Sequence, residues 1–179
     1  MNNFQQLDPS RILELMVIRQ GWFKSRYILT DNQFEYGSLG CAGGGIFSRD
    51  KKIETAEGSF IIKPVGFFAK QTQIIDAGSN EVLGTYTRNM WDSKNYISLT
   101  SGLNAELLRE GGIFSRKMVW SNKQLGNFMT LKSCAGFSKT FTITFDQNLI
   151  NKPIPLALLS LVGANIILLK QAQAAAVIT

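Results

Sequence analysis

From about Ile12 to Phe145 the chain is a succession of short apolar or β-branched runs, broken every 8–12 residues by Gly, Asn, Asp or Ser. That spacing predicts an all-β sandwich or barrel. Tyr27-Ile28-Leu29-Thr30 runs into a turn at Asp31-Asn32, and Phe34-Glu35-Tyr36 leaves it. Lys52–Thr55 and Ser59–Ile62 flank Glu57-Gly58, and Lys139–Phe145 alternates so that Phe141, Ile143 and Phe145 share one face. Eleven or twelve such runs can be counted. That is too many for one open twisted sheet, so the sheet is expected to close or split. The start is ambiguous: Asp8-Pro9 resembles a helix start, but Ile12–Ile18, which ends before Gly21, reads as a strand.

The pattern changes after Asn151-Lys152-Pro153-Ile154-Pro155. Two prolines stop sheet pairing and preset a helix start, and LALLSLVGANIILLKQAQAAAVIT follows without a turn signal. The predicted helix, residues 153–175, is apolar on every side and needs enclosure by lipid or by protein. From Ile154 to Leu169 there are 16 residues before Lys170, about 24 Å of helix at 1.5 Å per residue. This falls short of the roughly 20 residues a bilayer core requires. A helix threaded through a closed barrel is the better fit, with Ala157, Ser160, Gly163 and Ala164 allowing the walls to approach.

Repetition supports a meander. GGIFSR occurs at Gly44–Arg49 and again at Gly111–Arg116, and each copy follows a Trp-x4-Tyr-Ile segment, Trp22…Tyr27-Ile28 or Trp91…Tyr96-Ile97. A second echo pairs Ser79-Asn80…Leu83-Gly84-Thr-Tyr86 with Ser121-Asn122…Leu125-Gly126-Asn-Phe128. Repeats of hairpin size imply similar units that each lend one apolar face to a shared interior.

Composition narrows the chemistry. The 179 residues, 45% hydrophobic and 18% charged, suit one globular domain spanning 1–179. Nineteen Lys and Arg against 13 Asp and Glu give a net charge of +6, which favours an anionic partner. There is no histidine, so Ser-His, Cys-His and His-metal arrangements are excluded. The acidic residues are scattered singly, and no catalytic residue, cofactor or metal ligand is expected. Cys41 and Cys134 each head a Cys-Ala-Gly tripeptide without metal-site spacing, and read as reduced thiols at turns. MNNFQQLDPSR lacks the blocks of a signal peptide, which suggests a cytoplasmic protein, peripheral to a membrane at most. Gly43-Gly44-Gly45 is not followed by Gly-Lys-Ser/Thr and reads as turn geometry. Trp22, Trp91 and Trp120 are expected to pack in the core or at the barrel rim rather than stack on bases, and no nucleic-acid partner is expected.

A closed, roughly twelve-stranded antiparallel meander around a hydrophobic C-terminal helix resembles the tubby C-terminal-like superfamily, which includes the tubby domain, LURP-one-related proteins and phospholipid scramblases. The Trp-x4-Tyr-Ile openings, the element Gln73–Gly84 and the terminal helix carry the resemblance. It implies a scaffold that binds, often at membranes, with no common enzymatic activity. The proline-rich extension, cysteine-rich run and acidic calcium segment of scramblases are absent from the sequence. The candidate anion-binding residues are Arg49, Lys51 and Lys52 after the first GGIFSR copy, and Arg116 and Lys117 after the second. If the copies are equivalent, these charges sit at corresponding strand ends and form one or two sites for anionic phospholipid headgroups. Ordinary solvated edge positions are the competing reading. The leading expectation is a non-enzymatic binding or scaffold protein. A tail-anchored protein with residues 1–150 as a soluble head is one alternative, and a small-molecule carrier or enzyme using the barrel interior is another.

Overall fold

In a computed structural model the described residues are 4–12, 14–21, 26–43, 49–66, 70–87, 94–111, 116–134, 141–146, 149 and 152–176. The chain forms β1 (Glu14–Gln20), β2 (Arg26–Thr30), β3 (Glu35–Cys41), β4 (Lys51–Thr55), β5 (Gly58–Val65) and β6 (Gln71–Asp76). It continues through β7 (Val82–Thr87), β8 (Lys94–Leu99), β9 (Asn104–Glu110), β10 (Lys117–Asn122), β11 (Gly126–Ser133) and β12 (Phe141–Phe145), then α1 (Leu156–Ala176). Each strand pairs antiparallel with its sequence neighbours, and β1 pairs with β12. The meander is thus a closed barrel without a free edge. The initial run becomes strand β1, not a helix. Asp8 does cap the chain there, accepting the Ser10 N–H at 2.9 Å, but only a single turn follows.

Alternation fills the interior. Every strand contributes to one apolar cluster, with Phe141, Ile143 and Phe145 of β12 on its inner face, as their spacing predicted. At the seam that closes the barrel, Leu15 faces Ile143 and Val17 faces Phe141, and all four are buried.

Antiparallel order sorts the connections onto two ends. At the end called lower here, β2–β3, β6–β7 and β10–β11 share one device. Asp31 Oδ1 accepts the N–H groups of Gln33 and Phe34; Asp76 Oδ1 accepts those of Gly78 and Ser79; Asn122 Oδ1 accepts those of Gln124 and Leu125. These are Asx turns, which such side chains favour. In each hairpin the returning strand then carries one extra residue, Tyr36, Leu83 or Phe128, as the register shifts. Such bulges increase local twist and help a sheet to close.

The repeats map onto this order unequally. The GGIFSR copies join β3 to β4 and β9 to β10, half a turn of the ring apart. Their interiors, 44–48 and 112–115, lie outside the described residues, as do Trp22 and Trp91. The phase beyond them matches: Ile53 and Trp120, each four residues after the motif's Arg, both enter the core. The Tyr residues do not match. Tyr27 packs towards the core, whereas Tyr96 is 45% exposed on the outer wall. The Ser-Asn echo is also offset: Asn122 caps its turn, while Asn80 sits within its turn at φ 60°. A one-residue slip moves a strand residue to the opposite face.

The helix begins after Pro155, three residues later than 153, and Leu159 N–H bonds to the Pro155 carbonyl at 2.9 Å. Its first twelve residues, Leu156–Ile167, are all buried. It runs from the lower end upwards and meets walls on several sides. Trp120 of β10 donates from Nε1 to the Leu159 carbonyl at 3.2 Å. Ser160 Oγ lies 3.6 Å from Met129 Sδ of β11, and Asn165 Nδ2 donates to the Tyr86 hydroxyl of β7 at 3.1 Å. Leu161 Cδ1 lies against Gly37 of β3, 3.0 Å from where a Cβ would stand. Near the upper end Gln171 Nε2 donates to Ser133 Oγ at 3.2 Å. The segment is long and apolar enough to cross a bilayer, but here the barrel encloses most of it.

Candidate functional site

The upper end is where odd-numbered strands finish and even-numbered strands begin, and all five candidate basic residues lie there. Arg49 precedes β4 and is exposed; Lys51 and Lys52 open that strand and are partly exposed. Arg116 precedes β10 and is exposed, and Lys117 opens it. The two groups therefore occupy corresponding strand ends. Because β4 and β10 are six strands apart in a ring of twelve, the two basic clusters stand on opposite sides of the barrel and do not converge.

Local pairing differs along each group. Lys52 Nζ is 2.7 Å from Glu54 Oε1, and Arg26 reaches the other carboxylate oxygen of Glu54 at 3.7 Å while donating to Ser38 Oγ at 3.0 Å. Lys51 Nζ donates to Cys41 Sγ at 3.4 Å. Lys117 Nζ lies 2.6 Å from Glu110 Oε2, across the β9–β10 pair. These ion pairs are exposed enough to be worth at most about 1 kcal/mol each, and they leave the side chains able to exchange partners. Arg49 and Arg116 are the outermost members.

The strand order produces a charge pattern that no local motif signals. Five of the six even-numbered strands start beside a described cation: Arg26 at β2, Arg49 and Lys51 at β4, Lys70 at β6, Lys94 at β8, Arg116 and Lys117 at β10. Among the described residues every Lys and Arg except Arg11, Lys123 and Lys152 lies towards the upper end. Of the described acids only Asp50 and Glu110 do, with Glu54 at mid-height. The lower end carries the others, including Asp31, whose ordinary acidity is strengthened. Burial pushes its pKa up, but the Phe34 and Gln33 N–H groups and the Tyr36 hydroxyl outweigh this and hold it below the usual value. The Phe34 N–H and Tyr36 hydroxyl each lie 2.7 Å from its carboxylate. The N–H groups of Ser79 and Gly78 likewise depress Asp76. The barrel is therefore electrically polarised along its axis.

A groove of about 690 Å³ lies on the outer wall of β7–β10, lined by Thr85, Tyr96, Ser98, Asn104 and Glu106 among others. It opens away from the core, whereas the barrel axis is occupied by α1. Cys41 and Cys134 are free and exposed, both at the upper end. Among the described residues no group of three or more Cys, Asp or Glu is placed to hold a metal ion. Comparison with protein-family models, curated proteins and solved structures returned no match to this chain.

Proposed function

We propose that this protein is a non-enzymatic binding or scaffold protein that contacts anionic phospholipid headgroups through the upper end of its barrel. One observation carries the reading: among the described residues most cations and most acids lie at opposite ends of the barrel, and the Arg49 and Arg116 groups lie at the cationic end. A Lys or Arg close to an anionic membrane surface contributes about 1 kcal/mol, so the effect grows with the number that converge on one plane. A barrel around a C-terminal helix is also the arrangement that the tubby-like resemblance implies, and a peripheral cytoplasmic location follows from the same reading. Vesicle sedimentation tests it. The full chain should sediment with phosphoinositide- or cardiolipin-containing liposomes at low salt, release as salt rises, and stay in solution with neutral phosphatidylcholine liposomes. Equal recovery from anionic and neutral vesicles removes the reading.

A further inference from the structure

We infer that the barrel docks end-on, with its axis close to the membrane normal and the cation-bearing starts of β2, β4, β6, β8 and β10 against an anionic bilayer, instead of gripping one headgroup in a side pocket. The inference rests on the proposed lipid contact and adds its geometry. Arg26, Arg49, Lys70, Lys94 and Arg116 mark five successive even-numbered strands of the ring, and all five are exposed. Cations on opposed walls, such as Arg49 and Arg116, cannot meet one small ligand across a barrel whose axis is filled by α1. They can all meet a plane. The acids at the far end reinforce this orientation, because an anionic surface repels them while it attracts the rim.

Sequence favours a bilayer over nucleic acid as the planar partner. An aromatic residue precedes each of these cations by two or three positions: Phe23 before Arg26, Phe47 before Arg49, Phe68 before Lys70, Trp91 before Lys94 and Phe114 before Arg116. These aromatics lie outside the described residues, and the pairing is a fact of sequence. A sequence that repeatedly sets an aromatic residue two or three positions before Lys or Arg has the composition that membrane-interface segments favour. The motif GGIFSR is then two instances of a pattern found before five even-numbered strands.

The native cysteines supply the test. Cys41 ends β3 and Cys134 follows β11, so both are exposed at the upper end but four strands apart around the ring. Full-length single-cysteine proteins are made by Cys134→Ser, by Cys41→Ser, and by adding Ser101→Cys at the lower end to the doubly serine background. Each is labelled with an environment-sensitive fluorophore and bound to phosphatidylserine-containing vesicles bearing a nitroxide at the headgroup. End-on docking predicts strong quenching at positions 41 and 134 and little at 101. Quenching at only one of the two upper positions, or at 101, means side-on contact and overturns the inference while leaving lipid binding intact. Absence of vesicle binding removes the underlying reading as well. Neutralising the rim by Arg49→Gln, Lys70→Gln, Lys94→Gln and Arg116→Gln together should lower vesicle partitioning about tenfold or more. Replacing Arg11, Lys123 and Lys152 by Gln should change it less than about twofold. Equal losses from the two sets, or tighter binding to duplex oligonucleotide than to vesicles at matched salt, overturn the inference.

Discussion

The indole N–H of Trp120 reaches the backbone carbonyl of Leu159 at 3.2 Å, tying strand β10 directly to the main chain of the enclosed helix. Gly163 makes this approach possible: a Cβ there would stand 2.8 Å from Leu131 Cδ2 and 3.0 Å from Trp120 Nε1. Alanine favours helix over glycine by about 1 kcal/mol, yet overpacking a tight core costs about 1–3 kcal/mol. Gly163→Ala should therefore destabilise the protein, and its urea midpoint should fall. An increase would mean that the wall is looser than this contact requires.

Across the barrel, Asn165 donates to the Tyr86 hydroxyl at 3.1 Å, with both residues almost fully buried. Tyr86→Phe leaves the Asn165 amide without that acceptor, which should cost about 1–3 kcal/mol. Adding Asn165→Leu should recover part of the loss, since removing both polar partners is less costly than stranding one. A double-mutant cycle in chemical denaturation measures this coupling, and strict additivity would contradict it.

Asn95 is 1% exposed, and neither its Oδ1 nor its Nδ2 has a hydrogen-bond partner among the described residues. Burying an amide unpaired is costly. Asn95→Leu should therefore leave stability unchanged or raise it by about 1 kcal/mol, readable as an upward shift in thermal midpoint. A fall of similar size would show that the amide is satisfied.

The Tyr36 hydroxyl, buried and donating to Asp31 at 2.7 Å, is pushed up to about 12, first by burial and then by the bond to Asp31 and its charge. Its folded pKa is thus raised above the ordinary tyrosine value of about 10. The associated stability is fully present below about pH 10 and is lost as pH rises towards 12. Tyr36→Phe should flatten the fall in denaturation midpoint over that window relative to wild type. Asp31 acts in the opposite sense: its pKa is depressed, so its contribution is present above the usual carboxylate range and lost as pH falls.

The hairpins and the terminal helix were legible because their signals are local. Alternation at Phe141, Ile143 and Phe145 predicted an inward face, and the all-round apolarity of Leu156–Ile167 required enclosure. Phase was not legible where bulges intervene. Tyr36, Leu83 and Phe128 each add a residue opposite an unbroken partner, and the faces of Tyr27 and Tyr96 differ despite matching sequence. The separation of Arg49 from Arg116 depends on their ring positions, which no segment encodes alone. The charge segregation was present in the sequence throughout. It emerges only when strand direction assigns Lys70 and Lys94 to the same end as the repeated motif.

The barrel's interior is filled by its own helix α1. Amide hydrogen exchange of the full chain, in buffer without detergent or lipid, measures this directly. The amides of Leu159–Ile167 should be among the slowest to exchange, at the rate of global unfolding and together with β10 and β11. Rapid exchange across this segment while the strands remain protected, or protection that arises only when micelles or vesicles are added, would contradict the enclosed helix.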